Sequence, residues 1–363
     1  MYKEELPPLS AEFIAMLKEN YEEQKNFRHS GEFEALSQIK FCNEAAYSDN
    51  APWRIGPFTQ DNSLTFKKEK QWKDPLGIGW ESGAIFVPSL IIKDEKLYMI
   101  YRAAPKKETT SCMFGLAVYD GKTWKDYEKN PILYPALFNE NASVEDPIVY
   151  CAEGRYFLFY TAVYKPSAEE YEKYAIEGQL GAGKYGADIN LAVSDDLKNW
   201  KRLGLVMPRE LSHLWAKSPI IAKDKYGNAV RINGKYLMFV SEGGAGKQYV
   251  GTSDNMIDWT FEHKQFIDIS SLEGNLFGVA CLVAEENGDG LVSEFFYQDK
   301  DKKFATGQAY YKKSDPYKQL AIGWGGAMAW GGLIQYKGKW IVGNGWDAPD
   351  GSNTMFFYTA PVK

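Results

Sequence analysis

The sequence predicts an all-β protein, a five-bladed β-propeller preceded by an N-terminal helical extension. One motif occurs five times: a small or apolar segment around Pro or Gly, an apolar strand, a polar turn, and a second strand rich in Tyr and Phe. The copies begin about every 50 to 70 residues, a spacing typical of propeller blades. Aromatic residues make up 15% of the chain, which suits strands.

Each repeated unit continues with a second pair of strands. In three units an apolar strand leads into an acidic turn, and a Trp then begins the next strand. Asp and Asn favour such turns because they tolerate left-handed backbone. Four strands per unit and five units predict the propeller. The five motif copies begin near residues 86, 143, 216, 277 and 330, and the acidic turns lie at 120–124, 195–200 and 254–259.

The chain divides into two predicted parts, an N-terminal helical extension over 1–52 and a propeller catalytic domain over 53–363. Ser10 is a candidate N-cap for the one long helix-like stretch, which reaches to about residue 37. The last blade has only three candidate strands near the C-terminus. We expect residues 63–66 to supply its fourth strand, because closing the ring removes free sheet edges.

A long insertion, residues 165–187, interrupts the second unit. It begins with a helix-like segment and ends with four glycines. Two interpretations stay open, a surface loop or a lid over the mouth of the propeller. The glycine spacing matches neither a P-loop nor a dinucleotide fingerprint.

Composition excludes several classes of function. The net charge is −6 and no basic stripe occurs, which argues against nucleic acid binding. No apolar run reaches the ~20 residues of a membrane helix. The first residues lack an apolar signal segment, so a cytoplasmic protein is expected, with a removed signal peptide left open. Four dispersed cysteines and three histidines predict no disulfide, metal or cofactor.

The motif copies also predict where a site lies, because the first strands of propeller blades line a central channel. Only the second copy carries two adjacent carboxylates, Glu145 and Asp146, before Pro147. Polar groups converging in an aromatic cavity are typical of a small-ligand site, and aromatic rings suit sugars. Asp146 is therefore the first candidate for a catalytic acid. The alternative is that Asp-Pro only begins a strand.

Glycoside cleavage needs a second carboxylate. We rank Glu242 first, then Glu273 and Glu81, each of which has the alternative of a turn residue. Further candidates for substrate binding lie at strand ends or motif segments, and the alternatives for these are ion pairing, packing or surface exposure. They are Glu81, Arg102, Glu145, Lys217, Trp330, Trp346 and Asp347.

Several segments resemble glycoside hydrolase family 130, the mannoside phosphorylases and mannosidases, and more distantly families 43 and 32. They are residues 97–103, 144–147, 189–200, 232–236 and 345–347, within a resemblance that covers roughly 75–360. By this resemblance Asp146 matches the proton donor. Arg102, Lys217 and Asp347 fall where the family places substrate- or phosphate-binding groups.

Three positions depart from the pattern of the family. The Arg after Glu-Asp-Pro is Ile148, the His of blade four is replaced by Phe295 and Phe296, and an Arg of blade three is replaced by Ser241, followed by Glu242. Because phosphate needs a cationic pocket, these changes favour hydrolysis over phosphorolysis. An inverting route would place the two carboxyls ~6.5–9.5 Å apart around a water.

We therefore expect a glycosidase of carbohydrate metabolism that cleaves β-linked, manno-configured oligosaccharides, with Asp146 as general acid and Glu242 or Glu273 as its partner. The alternatives are a mannoside phosphorylase, a family 43 or 32 type arabinosidase, xylosidase or fructosidase, and a non-catalytic carbohydrate-binding propeller. The expected partner is an oligosaccharide, not nucleic acid or membrane. Self-association into a homo-oligomer is left open.

Overall fold

The computed structural model describes residues 11–12, 15, 18–19, 47–68, 80–81, 84–104, 112–301, 304–326, 332–343 and 354–362. Within them the chain forms a five-bladed β-propeller. The few described residues between 11 and 19 are helical, and the rest of the expected N-terminal helix lies outside the described residues. Tyr47 and Ser48 already contact the propeller, the latter through its N–H to the Trp324 carbonyl. The division at residue 52 stays a prediction.

Each blade is an antiparallel sheet of four strands in sequence order, apart from the last. Two short strands come first, β1 (Thr59–Gln60) and β2 (Phe66–Lys67). Blade one holds β3 (Ala84–Lys93), β4 (Lys96–Ala104), β5 (Met113–Tyr119) and β6 (Trp124–Asp126). Blade two holds β7 (Ser143–Ala152), β8 (Arg155–Tyr164), β9 (Gly186–Ser194) and β10 (Lys201–Leu205).

The remaining blades follow the same plan. Blade three holds β11 (Ala216–Ile221), β13 (Lys235–Gly243), β14 (Tyr249–Ser253) and β15 (Thr260–His263), with the short β12 (Arg231–Ile232) beside β13. Blade four holds β16 (Asn275–Ala284), β17 (Gly290–Gln298), β18 (Phe304–Lys312) and β19 (Ala321–Trp324). Blade five holds β20 (Ile334–Tyr336), β21 (Lys339–Gly343) and β23 (Phe357–Pro361), and β22 (Thr354–Met355) precedes β23.

Helices in the described part of the propeller are short. They are α1 (Ala168–Tyr174), α2 (Arg209–Ser212) and 3-10 turns at Asn62–Leu64, Phe138–Glu140, Leu180–Gly183, Gly244–Gly246 and Ser270–Leu272. Of the helices described, none has the length and apolar character needed to cross a bilayer.

Blade five is completed by a strand from the start of the propeller, but not by the expected residues 63–66. The added strand is β1, which pairs with β23 through Thr59 and Thr359. The Asp61 carboxylate accepts a hydrogen bond from the Ser63 N–H at 3.0 Å and so caps a 3-10 turn. Because of this local bond, residues 62–64 form a turn and do not pair as a strand of blade five. Phe66 pairs with Met355 in a separate two-stranded ladder.

The motif segments share an unusual backbone. In the first three blades the residue before proline lies in the left-handed region, with φ of 49° at Val87, 51° at Asp146 and 56° at Ser218. In blades one and two the pairing register also shifts by one residue at this point, as in a β-bulge. A bulge breaks the alternation of side chains between the two faces of a strand.

Side-chain oxygens connect neighbouring blades near the channel. Ser89 Oγ accepts from the Val149 N–H at 2.9 Å, and Ser241 Oγ accepts from the Val279 N–H at the same distance. Tyr150 Oη accepts from the Ile221 N–H at 2.8 Å. Each bond satisfies an innermost strand of one blade from the blade before it. Apolar and aromatic side chains fill the space between the sheets.

Replacing Ser241 by Ala should lower the free energy of unfolding by about 1–3 kcal/mol, because the buried Val279 N–H loses its acceptor. Urea unfolding followed by tryptophan fluorescence measures this loss. The exposed Ser271 provides the control, and its change to Ala should leave the midpoint unchanged. Equal midpoints for the two variants would contradict the assigned role of the bond between blades.

Candidate active site

Two adjacent carboxylates converge on one guanidinium at the start of β7. Arg102 Nη2 lies 2.9 Å from Glu145 Oε1, and its Nη1 lies 2.9 Å from Asp146 Oδ1. Consecutive residues of a regular strand point to opposite faces. The bulge and the positive φ of Asp146 remove that alternation, so both side chains reach Arg102. Such strain is typical of functional sites.

Lys217 of β11 is the second cation of this cluster. Its Nζ lies 3.2 Å from Glu145 Oε2 and 3.8 Å from Asp146 Oδ2. Burial alone would raise the pKa of Glu145, but the charges of Arg102 and Lys217 outweigh it and lower that pKa. Glu145 is therefore ionised at neutral pH and pairs with both cations.

Arg102 is fixed from both sides. The Phe86 ring centroid lies 4.5 Å from its Cζ, and Cys112 Sγ accepts from its Nε at 3.2 Å. Burial raises the pKa of Cys112 to about 11, so the thiol is neutral. Thr161 Oγ1 lies 3.5 Å from Asp146 Oδ2 and adds a weak donor.

Glu242 on β13 supplies the third carboxyl of the cluster. It lies directly opposite Lys217 in the β11–β13 ladder, and its Oε1 accepts from Trp215 Nε1 at 3.4 Å. Burial raises the pKa of Glu242 to about 7, although Lys217 and the Trp215 hydrogen bond act in the opposite direction. Glu242 is thus able to gain or lose a proton near neutrality.

The structure brings together five of the predicted residues, and they are Arg102, Glu145, Asp146, Lys217 and Glu242. Trp330, Trp346 and Asp347 lie outside the described residues.

Glu273 does not join this cluster. It follows the Ser270–Leu272 turn with its side chain 66% exposed, and its Oε2 pairs with Lys300 Nζ at 2.9 Å. That hydrogen bond lowers the pKa of Glu273. The expectation that Glu273 is a catalytic partner is therefore corrected.

Glu81 is buried, but on the wrong side of β4 for substrate binding. It accepts from Tyr101 Oη at 3.1 Å and pairs with Lys68 Nζ at 3.0 Å. Tyr101 and Arg102 are successive strand residues and so point to opposite faces. Glu81 therefore stabilises the interior of blade one, which corrects its expected role as a substrate ligand.

Sequence reasoning missed Trp215, Cys112 and Thr161. Strand periodicity could have found Trp215, since residues two apart face the same side and Trp215 precedes Lys217 by two. Ladder pairing places Thr161 opposite Glu145. Both residues belong to the β7–β8 hairpin, but the register shift between Glu145 and Ile148 has no signal in the sequence.

The three departures from the family pattern add no cation to the site. Ile148, Phe295 and Phe296 are each 1% exposed or less, and Ser241 is occupied by its bond to Val279. In the described part of the cluster two cations face three carboxyls, and both cations are paired. Within the same residues no group of His, Cys, Asp and Glu is arranged to hold a metal ion.

Changing Arg102 to Gln should destabilise the fold by about 3–5 kcal/mol at pH 7, because buried carboxylates lose their partner. Arg102 lowers the pKa of Glu145, so its contribution is present above the ordinary pKa of Glu and disappears as pH falls. The difference in the free energy of unfolding between the wild type and Arg102→Gln should therefore become smaller below about pH 4. Chemical denaturation at the two pH values measures it.

Arg155 is the matched control for Arg102, since it makes an ion pair of the same 2.9 Å length with Asp195 at the surface. Its change to Gln should alter stability by less than about 1 kcal/mol. If the loss of stability in Arg102→Gln were the same at both pH values, the substitution would act by removing packing contacts and not charge.

Known proteins are similar to this chain in sequence and in fold. A family model described as beta-1,4-mannooligosaccharide phosphorylase, of glycoside hydrolase family 130, matches residues 64–176. A Beta-1,2-mannobiose phosphorylase of Thermoanaerobacter sp. (strain X514) is 26% identical over 174 residues, covering 44% of this chain and 48% of that protein. The chain thus spans about half the length of this curated relative.

Solved structures support the fold over most of the chain. A putative glycoside hydrolase from Bacteroides ovatus ATCC 8483 is 22% identical, with a TM-score of 0.62 over 85% of this chain and 98% of that one. A second solved structure has the description "The GH130 family of mannoside phosphorylases contains glycoside hydrolases that target beta-1,2 mannosidic linkages in Candida mannan". It is 18% identical, with a TM-score of 0.62 over 87% of this chain and 99% of that one. The chain is a five-bladed β-propeller, and its residues 64–176 are similar to the model of glycoside hydrolase family 130.

Proposed function

We propose that the protein hydrolyses β-linked, manno-configured oligosaccharides with inversion. The similarity to mannoside-active proteins supports the substrate class. The observation that carries hydrolysis is the position of Glu242, which faces the Lys217 ammonium where a phosphate would need an unpaired cation.

Asp146 serves as the general acid in this proposal. In its protonated form it donates a proton to the glycosidic oxygen as the bond from that oxygen to the anomeric carbon breaks. Glu242 takes a proton from a water that attacks the anomeric carbon from the opposite face. A base with a pKa of about 7 is half ionised at neutral pH and still strong enough to activate water. Arg102 orients Asp146 through its 2.9 Å contact.

Phosphorolysis is the second candidate, and the relatives favour it, since the matching family model and the curated relative are both described as phosphorylases. In that reaction phosphate replaces water as the attacking group and the product is a sugar 1-phosphate. Against it stands the charge of the described cluster, in which Arg102 and Lys217 are both paired with Glu145. A phosphate dianion there would meet carboxylates.

Incubation with β-1,2- and β-1,4-mannobiose, with and without inorganic phosphate, should release mannose at equal rates in both conditions. Asp146→Asn and Glu242→Gln should each lower kcat by roughly 10²–10⁴-fold with the fold retained, the usual contribution of a general acid or base. Mannose 1-phosphate formed only with phosphate would establish the phosphorylase. Binding of mannosides without turnover would establish a carbohydrate-binding propeller.

The pH profile tests whether Glu242 takes part in proton transfer. Because burial raises the pKa of Glu242 to about 7, one limb of the kcat/KM profile should have its midpoint at about pH 7. A profile without a limb near pH 7 would remove Glu242 from the proton transfer of the reaction. Initial rates on mannobiose from pH 5 to 9 in buffers of constant ionic strength measure the profile.

A further inference from the structure

The insertion of residues 165–187 joins β8 to β9 on the face of the propeller where the active-site cluster lies. It packs against the segment that leads into β11. Glu170 Oε1 lies 2.5 Å from Arg209 Nη1, and the Tyr174 carbonyl lies 3.1 Å from His213 Nδ1. The Ala187 N–H donates to the Leu214 carbonyl at 2.9 Å. The next residue along this segment is Trp215.

The backbone of the insertion reaches the Trp215 ring at one glycine. A Cβ on Gly181 would lie 2.6 Å from Cζ3 of that indole, closer than real Cβ atoms come, and the φ of Gly181 is +80°. Only glycine allows this approach without displacing the ring. The insertion therefore defines where the indole can lie.

Trp215 in turn contacts both charged groups at the end of the site. Its Nε1 donates to Glu242 Oε1 at 3.4 Å, and its ring centroid lies 5.5 Å from Lys217 Nζ. An N–H donor stabilises the ionised form of a carboxyl and selects one orientation of it. The indole thus links the insertion to the group proposed to activate water.

We propose that Gly181 and Trp215 are positioning residues, through which the insertion sets the orientation and proton affinity of Glu242. This inference rests on the proposed function, because it takes Glu242 as a reacting group. The insertion then lines the site and is more than a surface loop of blade two.

Other groups also face Glu242, and the test must separate their effects. Lys217 of β11 and the carboxyls of Glu145 and Asp146 on β7 contribute charge. At the end of β13 the Tyr249 ring packs at Gly243, and in the turn that follows His213 packs at Gly244. Substitutions at residues 181 and 215 change none of these side chains.

Gly178 provides a matched control for Gly181. It lies in the same insertion with φ of +75°, but a Cβ there would lie 3.7 Å from Ala245 Cβ, an ordinary contact. Gly181→Ala should lower kcat/KM on mannobiose by roughly 10–100-fold, the usual effect of a misplaced catalytic group. Gly178→Ala should stay within about twofold, because it has the backbone strain without the clash.

The decisive measurement needs no turnover. A ¹³C NMR titration of the Glu carboxyls, assigned by comparison with Glu242→Gln, gives the pKa of Glu242 directly. Trp215→Phe keeps an aromatic ring but loses the N–H, so the midpoint should move upward from about 7 by roughly half a pH unit. Gly181→Ala should move it in the same direction and Gly178→Ala should not.

An unchanged Glu242 midpoint in both Trp215→Phe and Gly181→Ala would overturn the inference, whatever their activity. If Gly181→Ala does not fold, Trp215→Phe alone decides. If the midpoint moves while the wild-type protein cleaves no mannoside, the link from Trp215 to Glu242 stands and the proposed function fails. The two ideas therefore fail on different observations.

Discussion

The candidate active site depends on one guanidinium that holds two consecutive carboxylates. Removing Arg102 from water is costly, and so is burying Glu145 and Asp146, so each needs the others. The arrangement requires adjacent side chains to share a direction, which a regular strand forbids. The left-handed Asp146 before proline meets this requirement, and the register shift in β7 follows from it.

The same left-handed residue before proline occurs in two blades that have no acid at this position. Val87 and Ser218 also precede proline with positive φ, but blade one uses its segment to bond blade two through Ser89. Repetition thus supplies a geometry that serves packing in one blade and a buried charge cluster in another. Because the innermost strands surround a channel, the single acidic copy meets cations from blades one and three, Arg102 and Lys217.

In the proposed function, charge balance decides which attacking group the cluster accepts. Both cations are paired, and Glu242 adds a third carboxyl whose burial raises its pKa to about 7. A neutral water is compatible with such a site, whereas a phosphate needs an excess of positive charge. The insertion of blade two is a second influence on Glu242, since Gly181 fixes the indole that donates to this carboxyl.

The sequence by itself determined the repeat, the all-β class and the one motif copy that carries the Glu145–Asp146 pair, because periodicity, turns and the single acidic copy are local features. It also named Arg102, Lys217 and Glu242, which lie at strand ends or motif segments. The expected closing strand at 63–66 was wrong because Asp61 caps a turn there.

Only the tertiary structure decided which candidate carboxyls share the cluster. Glu273 lies on an exposed turn and Glu81 lies behind β4, although both stand near motif segments in the sequence. Trp215 acquires its role from a glycine 34 residues earlier in the chain, a contact that no local pattern records. The physical reason is that sequence fixes alternation within a strand, whereas bulges, register and packing between blades fix which faces meet.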